Sequence, residues 1–114
     1  MATTIEELEE WMQVPKEREG LEFKAARSSY DGDKLMDYCV GIANDGGGKL
    51  ILGITDKPPR KVVGTPAVND PAGMQKKILD TINFDVRIEE VKHPDGRVVI
   101  CHIPKRPAGN ALTS

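Results

Sequence analysis

Three carboxylates in this 114-residue chain have the types and spacing for chemistry on a phosphate. Glu22 lies in Leu21-Glu22-Phe23-Lys24, where strict alternation predicts a strand with Leu21 and Phe23 inward and both charged side chains on the opposite face. Glu17 precedes it by five residues across Gly20, and Asp56 follows the apolar run Lys49-Leu50-Ile51-Leu52-Gly53-Ile54. Hard cations such as Mg²⁺ or Mn²⁺ take oxygen ligands and activate water beside a phosphate, so Glu17, Glu22 and Asp56 form a candidate metal and catalytic set if the two strands are neighbours. The alternative is that Glu22 pairs with Lys24 or Lys49 while Glu17 and Asp56 are simply solvated.

Cations give the second candidate chemistry. Lys24 with Arg27, Lys57 with Arg60 and Lys61, and Lys105 with Arg106 are short basic groups of the kind that contact nucleic-acid phosphates or stand solvated on a surface. Sixteen basic against eighteen acidic side chains leave a formal charge of −2, so no global field draws in a polyanion and any such surface is local.

Other chemistries fail on order or spacing. Gly46-Gly47-Gly48-Lys49 resembles a phosphate loop, but Ala43 stands where the first glycine is needed and Leu50 where Ser or Thr is needed. The predicted order is also helix then strand, so ATP is not expected here. No Gly-x-Gly-x-x-Gly follows a strand, which argues against a nicotinamide cofactor. Cys39, Cys101, His93 and His102 lack the paired spacing of a zinc site. The two cysteines sit in apolar patterns and read as buried free thiols of a reducing compartment.

These groups need elements to hold them. Thr4 with Glu7 is a capping box opening a helix with Ile5, Leu8, Trp11 and Met12 on one stripe, closed by Val14-Pro15. Asp31 or Asp33 starts a second helix with Leu35, Met36, Cys39, Val40 and Ala43 inward, and Asn44-Asp45-Gly46-Gly47-Gly48 ends it. Lys49–Ile54 reads as a central strand covered on both faces, with Val62-Val63-Gly64 a short edge strand. Asp70-Pro71 opens a third helix with Met74, Ile78, Leu79 and Ile82 inward. Val86–Lys92 and Arg97–Ile103 flank a hairpin turn containing Asp95-Gly96.

The predicted fold is therefore α/β, more narrowly α+β: a single small domain over residues 1–107 with a mixed sheet of four to five strands flanked by three helices, in the order α-β-α-β-α-β-β. Hydrophobic residues at 39% and charged residues at 30% suit an ordinary globular core that folds without a metal or disulfide. The start is acidic and amphipathic and no stretch approaches membrane-spanning length, so a cytoplasmic protein with no membrane partner is expected. Residues 108–114 have a loose composition and read as a tail leading into a longer protein.

Taken together, Leu21-Glu22-Phe23-Lys24, the stretch Ala43-Asn44-Asp45-Gly46-Gly47-Gly48-Lys49-Leu50-Ile51-Leu52-Gly53-Ile54, then Asp56 and Val63-Gly64, resemble the Schlafen AlbA-like domain in order and spacing. The resemblance spans nearly all of residues 5–107. It implies a nucleic-acid-binding module, DNA favoured and RNA the alternative, such as prokaryotic transcriptional regulators carry at their N-terminus ahead of a downstream domain. Lys24, Arg27, Lys57, Arg60 and Lys61 would be its phosphate contacts. In the ribonuclease members, metal-binding acids stand where Glu17, Glu22 and Asp56 stand here, which makes a Mg²⁺- or Mn²⁺-dependent nuclease the alternative. Those members double the module, so a single copy is expected to form a homodimer if it clamps nucleic acid in the same way. A docking or oligomerisation platform is the third reading.

Overall fold

The structure is a computed structural model that describes residues 2–14, 20–28 and 30–106. Its elements are α1 (Ile5–Met12), β1 (Leu21–Lys24), α2 (Gly32–Asn44), β2 (Gly48–Leu52), α3 (Pro71–Ile82), β3 (Arg87–His93) and β4 (Gly96–Ile103). This is the expected order. The expected start signals hold each helix: Thr4 and Glu7 form the reciprocal capping box of α1, Asp31 accepts from the amide of Asp33 at α2, and Asp70 accepts from the amide of Gly73 at α3.

One four-stranded mixed sheet has the order β1-β2-β4-β3, with β1 and β2 parallel and the other pairs antiparallel. Helix α2 supplies the crossover that parallel neighbours require. Helices cover both faces, which is why Leu50, Ile51 and Leu52 are all fully buried in succession. On one face Leu35, Cys39 and Ala43 of α2 and Ile78 of α3 pack on Leu50, Leu52, Val99 and Cys101. On the other, Leu8 of α1 packs with Phe23, Ile51, Val98 and Ile100, and Trp11 and Met12 close its edge.

The structure departs from the sequence reading at three boundaries. Strand β2 ends at Leu52, because Gly53 at φ +103 turns its amide to Lys24 O and offers its own carbonyl to Val63 and Gly64. A Cβ on Gly53 would lie 2.7 Å from Arg97 O, so only glycine fits. The Val62–Gly64 segment is correspondingly no strand, only a single bridge from Val62 to Ile54. The hairpin turns on Pro94-Asp95, and Gly96 already pairs with His93. Leu79 is 41% exposed, since α3 meets the sheet through Ile78 with Met74 and Ile82 alongside.

Candidate functional site

Parallel pairing decides which end of the sheet the candidate cations share. Leu21↔Lys49 through Lys24↔Leu52 run in the same direction, so the segments that leave β1 and β2 emerge at one end. Lys24 ends β1 and Arg27 lies on the first segment, Lys57 and Lys61 on the second.

Each segment is tied down by buried groups. After β1 the chain turns at Ala26 with φ +47, a left-handed angle unusual for alanine. The buried Thr65 hydroxyl donates to Ala26 O at 2.7 Å and accepts from the amide of Ala67 at 3.0 Å. Arg97 holds that partner loop in turn, donating to Thr65 O, Ala67 O and Val68 O at 3.1, 2.6 and 2.6 Å while its Nε pairs with Glu90. Arg27 projects from this braced turn and is exposed.

The second segment doubles back on itself through a cis Pro58-Pro59 bond. The amide of Thr55 donates to Lys61 O at 3.0 Å, and the amide of Lys61 donates to Thr55 Oγ1 at 2.8 Å. Lys57 and Lys61 are exposed on it. Arg60 is not a surface cation as the sequence reading has it: only 7% exposed, it lies over the Phe23 ring at 4.5 Å and donates to Asp56 O, Met12 O and Val14 O. Its guanidinium therefore joins the end of α1 to the Asp56–Lys61 loop. Its NH2 is buried without a hydrogen-bond partner among the described residues, so the ring contact and the other three hydrogen bonds must offset that cost.

Lys24 is half-buried, its ammonium 5.0 Å from the centroid of the Tyr38 ring. The Tyr38 hydroxyl raises its pKa against the opposing effect of burial, so the group stays cationic. Tyr30 stands 6.2 Å from Tyr38, and burial, with Tyr38, pushes its phenol up to about 12. Lys24, Tyr30, Lys34, Asp37 and Tyr38 line a cavity of about 420 Å³. Here cations alternate with aromatic rings, an arrangement suited to phosphates and stacked bases. The tyrosines were missed in the sequence, where Tyr30 reads as loop and Tyr38 as one more residue of an amphipathic helix.

The acids are placed differently. Glu22 opens onto a neighbouring cavity of about 330 Å³ with Asp37, Tyr38, Gly41, Ile42 and Asp45, on the α2 side of the sheet. It makes no ion pair within 4.0 Å among the described residues, and Lys49, one of its two expected partners, lies on the opposite face beside Trp11. Glu22 is level with Leu50, whereas Asp56 lies six residues further along the chain, in the loop that Arg60 ties to α1. Glu17 falls outside the described residues. Among the described residues no group of three or more His, Cys, Asp or Glu could hold a metal ion, and the expected set of Glu17, Glu22 and Asp56 has only two of its members among them. Likewise, among the described residues no helix is long and apolar enough to cross a membrane.

No curated protein matches the chain. Solved structures share its fold, two of them as follows. The DIP2311 protein from Corynebacterium diphtheriae superposes with a TM-score of 0.65 at 21% identity over 84% of this chain, which spans only 22% of that protein's chain. The N-terminal domain of a RecG-related protein from Nitrosomonas europaea superposes with a TM-score of 0.59 at 16% identity over 100% of this chain and 87% of that one. At these identities the likeness is one of fold. The Schlafen, AlbA_2 family model matches residues 17–113, taking in β1, the Asn44–Gly48 turn, β2 and the hairpin, and the chain therefore belongs to that family.

Proposed function

We propose that this domain binds nucleic acid, with duplex DNA as its ligand, through the end of the sheet at which β1 and β2 terminate. The observation that carries the reading is the parallel pairing, which gathers Lys24 and Arg27 at the same end as Lys57 and Lys61, about 30 residues away in sequence. Family membership supports it, as does a fold neighbour that is the N-terminal domain of a protein related to the RecG DNA helicase. In the full protein the domain would serve as the DNA-contacting part of a transcriptional regulator, with a downstream domain supplying regulation. Binding of a labelled duplex, measured across a salt series, tests the reading: affinity that does not fall with salt, or no binding at low salt, contradicts it.

A second reading, a nuclease dependent on Mg²⁺ or Mn²⁺, rests on Glu22, a half-buried carboxylate without an ion-pair partner beside a cavity. It requires Glu17 and Asp56 to join Glu22 when substrate is bound. Chelator-sensitive cleavage of labelled RNA or DNA that is lost in Glu22→Gln would establish it; absence of such cleavage removes it.

A further inference from the structure

At the other end of the sheet, the register lines up three nitrogen side chains on three adjacent strands. Arg87 of β3 pairs with His102 of β4, and His102 pairs with Lys49 of β2, so all three project from the face that α1 covers. They border a cavity of about 350 Å³ together with Gly48, Asp85 and Pro104. Arg87 and Lys49, one on each side of His102, give this row two positive charges that negative charge would offset.

The molecule brings some of that charge itself. Glu89, next but one to Arg87 on β3 and on the same face, places Oε1 2.7 Å from His102 Nε2 and Oε2 3.7 Å from Arg87. It also accepts from the amide and hydroxyl of Thr3 just before α1. Burial would raise this carboxyl, but the hydrogen bonds from Thr3 and His102 hold it below its ordinary value, so it stays ionised and fully engaged. Lys49 receives nothing from it. The Lys49 ammonium lies 5.2 Å from the Trp11 ring centroid, with no carboxylate within 4.0 Å among the described residues. Asp85, exposed at the rim, is the one further acid in the lining and would oppose an anion.

We propose that Lys49, His102 and Arg87 form a binding site for a phosphate group. The guanidinium offers paired donors to two phosphate oxygens, the ammonium a point charge, and the imidazole, once protonated, a donor from Nδ1, since its Nε2–H is engaged by Glu89. The site is independent of the nucleic-acid reading, whose cations lie at the opposite end of the sheet. Its ligand can be a free phosphate or the terminal phosphate of a polynucleotide. Burial, then the charges of Arg87 and Lys49, depress the imidazole, with Glu89 opposing them. A dianion reverses the sign of that field, so binding draws a proton onto His102 and strengthens as pH falls.

Trp11, the chain's single tryptophan, reports directly on Lys49. Its fluorescence is followed while inorganic phosphate is added at constant ionic strength. Sulfate carries the pH series because its charge does not change between pH 5.5 and 7.5. The expected results are a saturable change, sulfate binding at least about threefold tighter at pH 5.5 than at 7.5, and loss of that pH dependence in His102→Gln. Lys49→Met and Arg87→Ala each weaken binding by about tenfold. Because Lys49→Met alters the surroundings of Trp11, ¹H–¹⁵N spectra of wild type and of Arg87→Ala supply a second readout, with shifts expected at the amides around Lys49, Arg87 and His102. Competition by a 5′-phosphorylated dinucleotide, but not by its unphosphorylated form, assigns the site to polynucleotide ends. Phosphate binding without that competition assigns it to the free anion. A response that never saturates, or one unchanged in Arg87→Ala while that variant remains folded, overturns the proposal.

Discussion

Replacing Lys57 and Lys61 by alanine removes two charges from the proposed interface while leaving the loop that carries them intact. Both are exposed, neither makes an ion pair among the described residues, and the loop is held by Thr55 and by Arg60, not by the lysine ammonium groups. Each phosphate neutralised by a cation contributes about −0.9 to the slope of log affinity against log salt, so Lys24, Arg27, Lys57 and Lys61 together give about −3.6. Raising salt from 50 to 200 mM, a factor of about four, then weakens binding roughly 150-fold. With two contacts gone the slope becomes about −1.8 and the same change in salt weakens binding only about 12-fold. Fluorescence anisotropy of a short labelled duplex at four salt concentrations reads both slopes. An unchanged slope in the double variant would refute the assignment, even if wild-type binding is salt-dependent.

Arg60→Met removes the donor to Met12 O and Val14 O and should destabilise the domain by about 2 kcal/mol or more in urea unfolding, with the salt slope of DNA binding unchanged. Gly47→Ala, at φ +87 with a Cβ only 2.7 Å from Lys105 N, should cost about 2 kcal/mol or more, whereas Gly41→Ala, on α2 with nothing within 4 Å, should gain about 0.5–1 kcal/mol. His102 and Glu89 are both depressed in the folded protein from ordinary values of 6.5 and 4.5. The unfolded chain therefore binds more protons in each window, and stability present above pH 6.5 falls first through the histidine range and again below 4.5; thermal melts of His102→Gln should lose only the upper part. EDTA should leave the melting temperature unchanged, because the two apolar clusters account for the core without a metal.

Local signals were legible where local chemistry decides the outcome. Thr4 with Glu7, Asp31 and Asp70-Pro71 mark their helices from neighbouring backbone alone, and the unbroken apolar run at Leu50–Leu52 reads as a strand buried on both faces. The glycines of the Asn44–Gly48 turn serve geometry: a Cβ on Gly48 would meet Gly20 backbone at 2.5 Å. Arg60 was illegible because its burial depends on carbonyls 46 and 48 residues earlier, and a basic residue beside Pro58-Pro59 looks solvated in one dimension. Leu79 shares its helical period with Ile78 and Ile82, and only the docking angle of α3 leaves it outside. The row Arg87–His102–Lys49 depends on strand order: the hairpin register pairs its first two members, but only the insertion of β2 beside β4 brings in the third.

The most direct test of the nucleic-acid account is a ¹H–¹⁵N shift map of the domain titrated with a short DNA duplex at low salt. Shifts concentrated at residues 24–28 and 55–61, at the shared end of β1 and β2, are the predicted result. Shifts confined to the outer faces of α2 and α3, or no shifts at all, would contradict it.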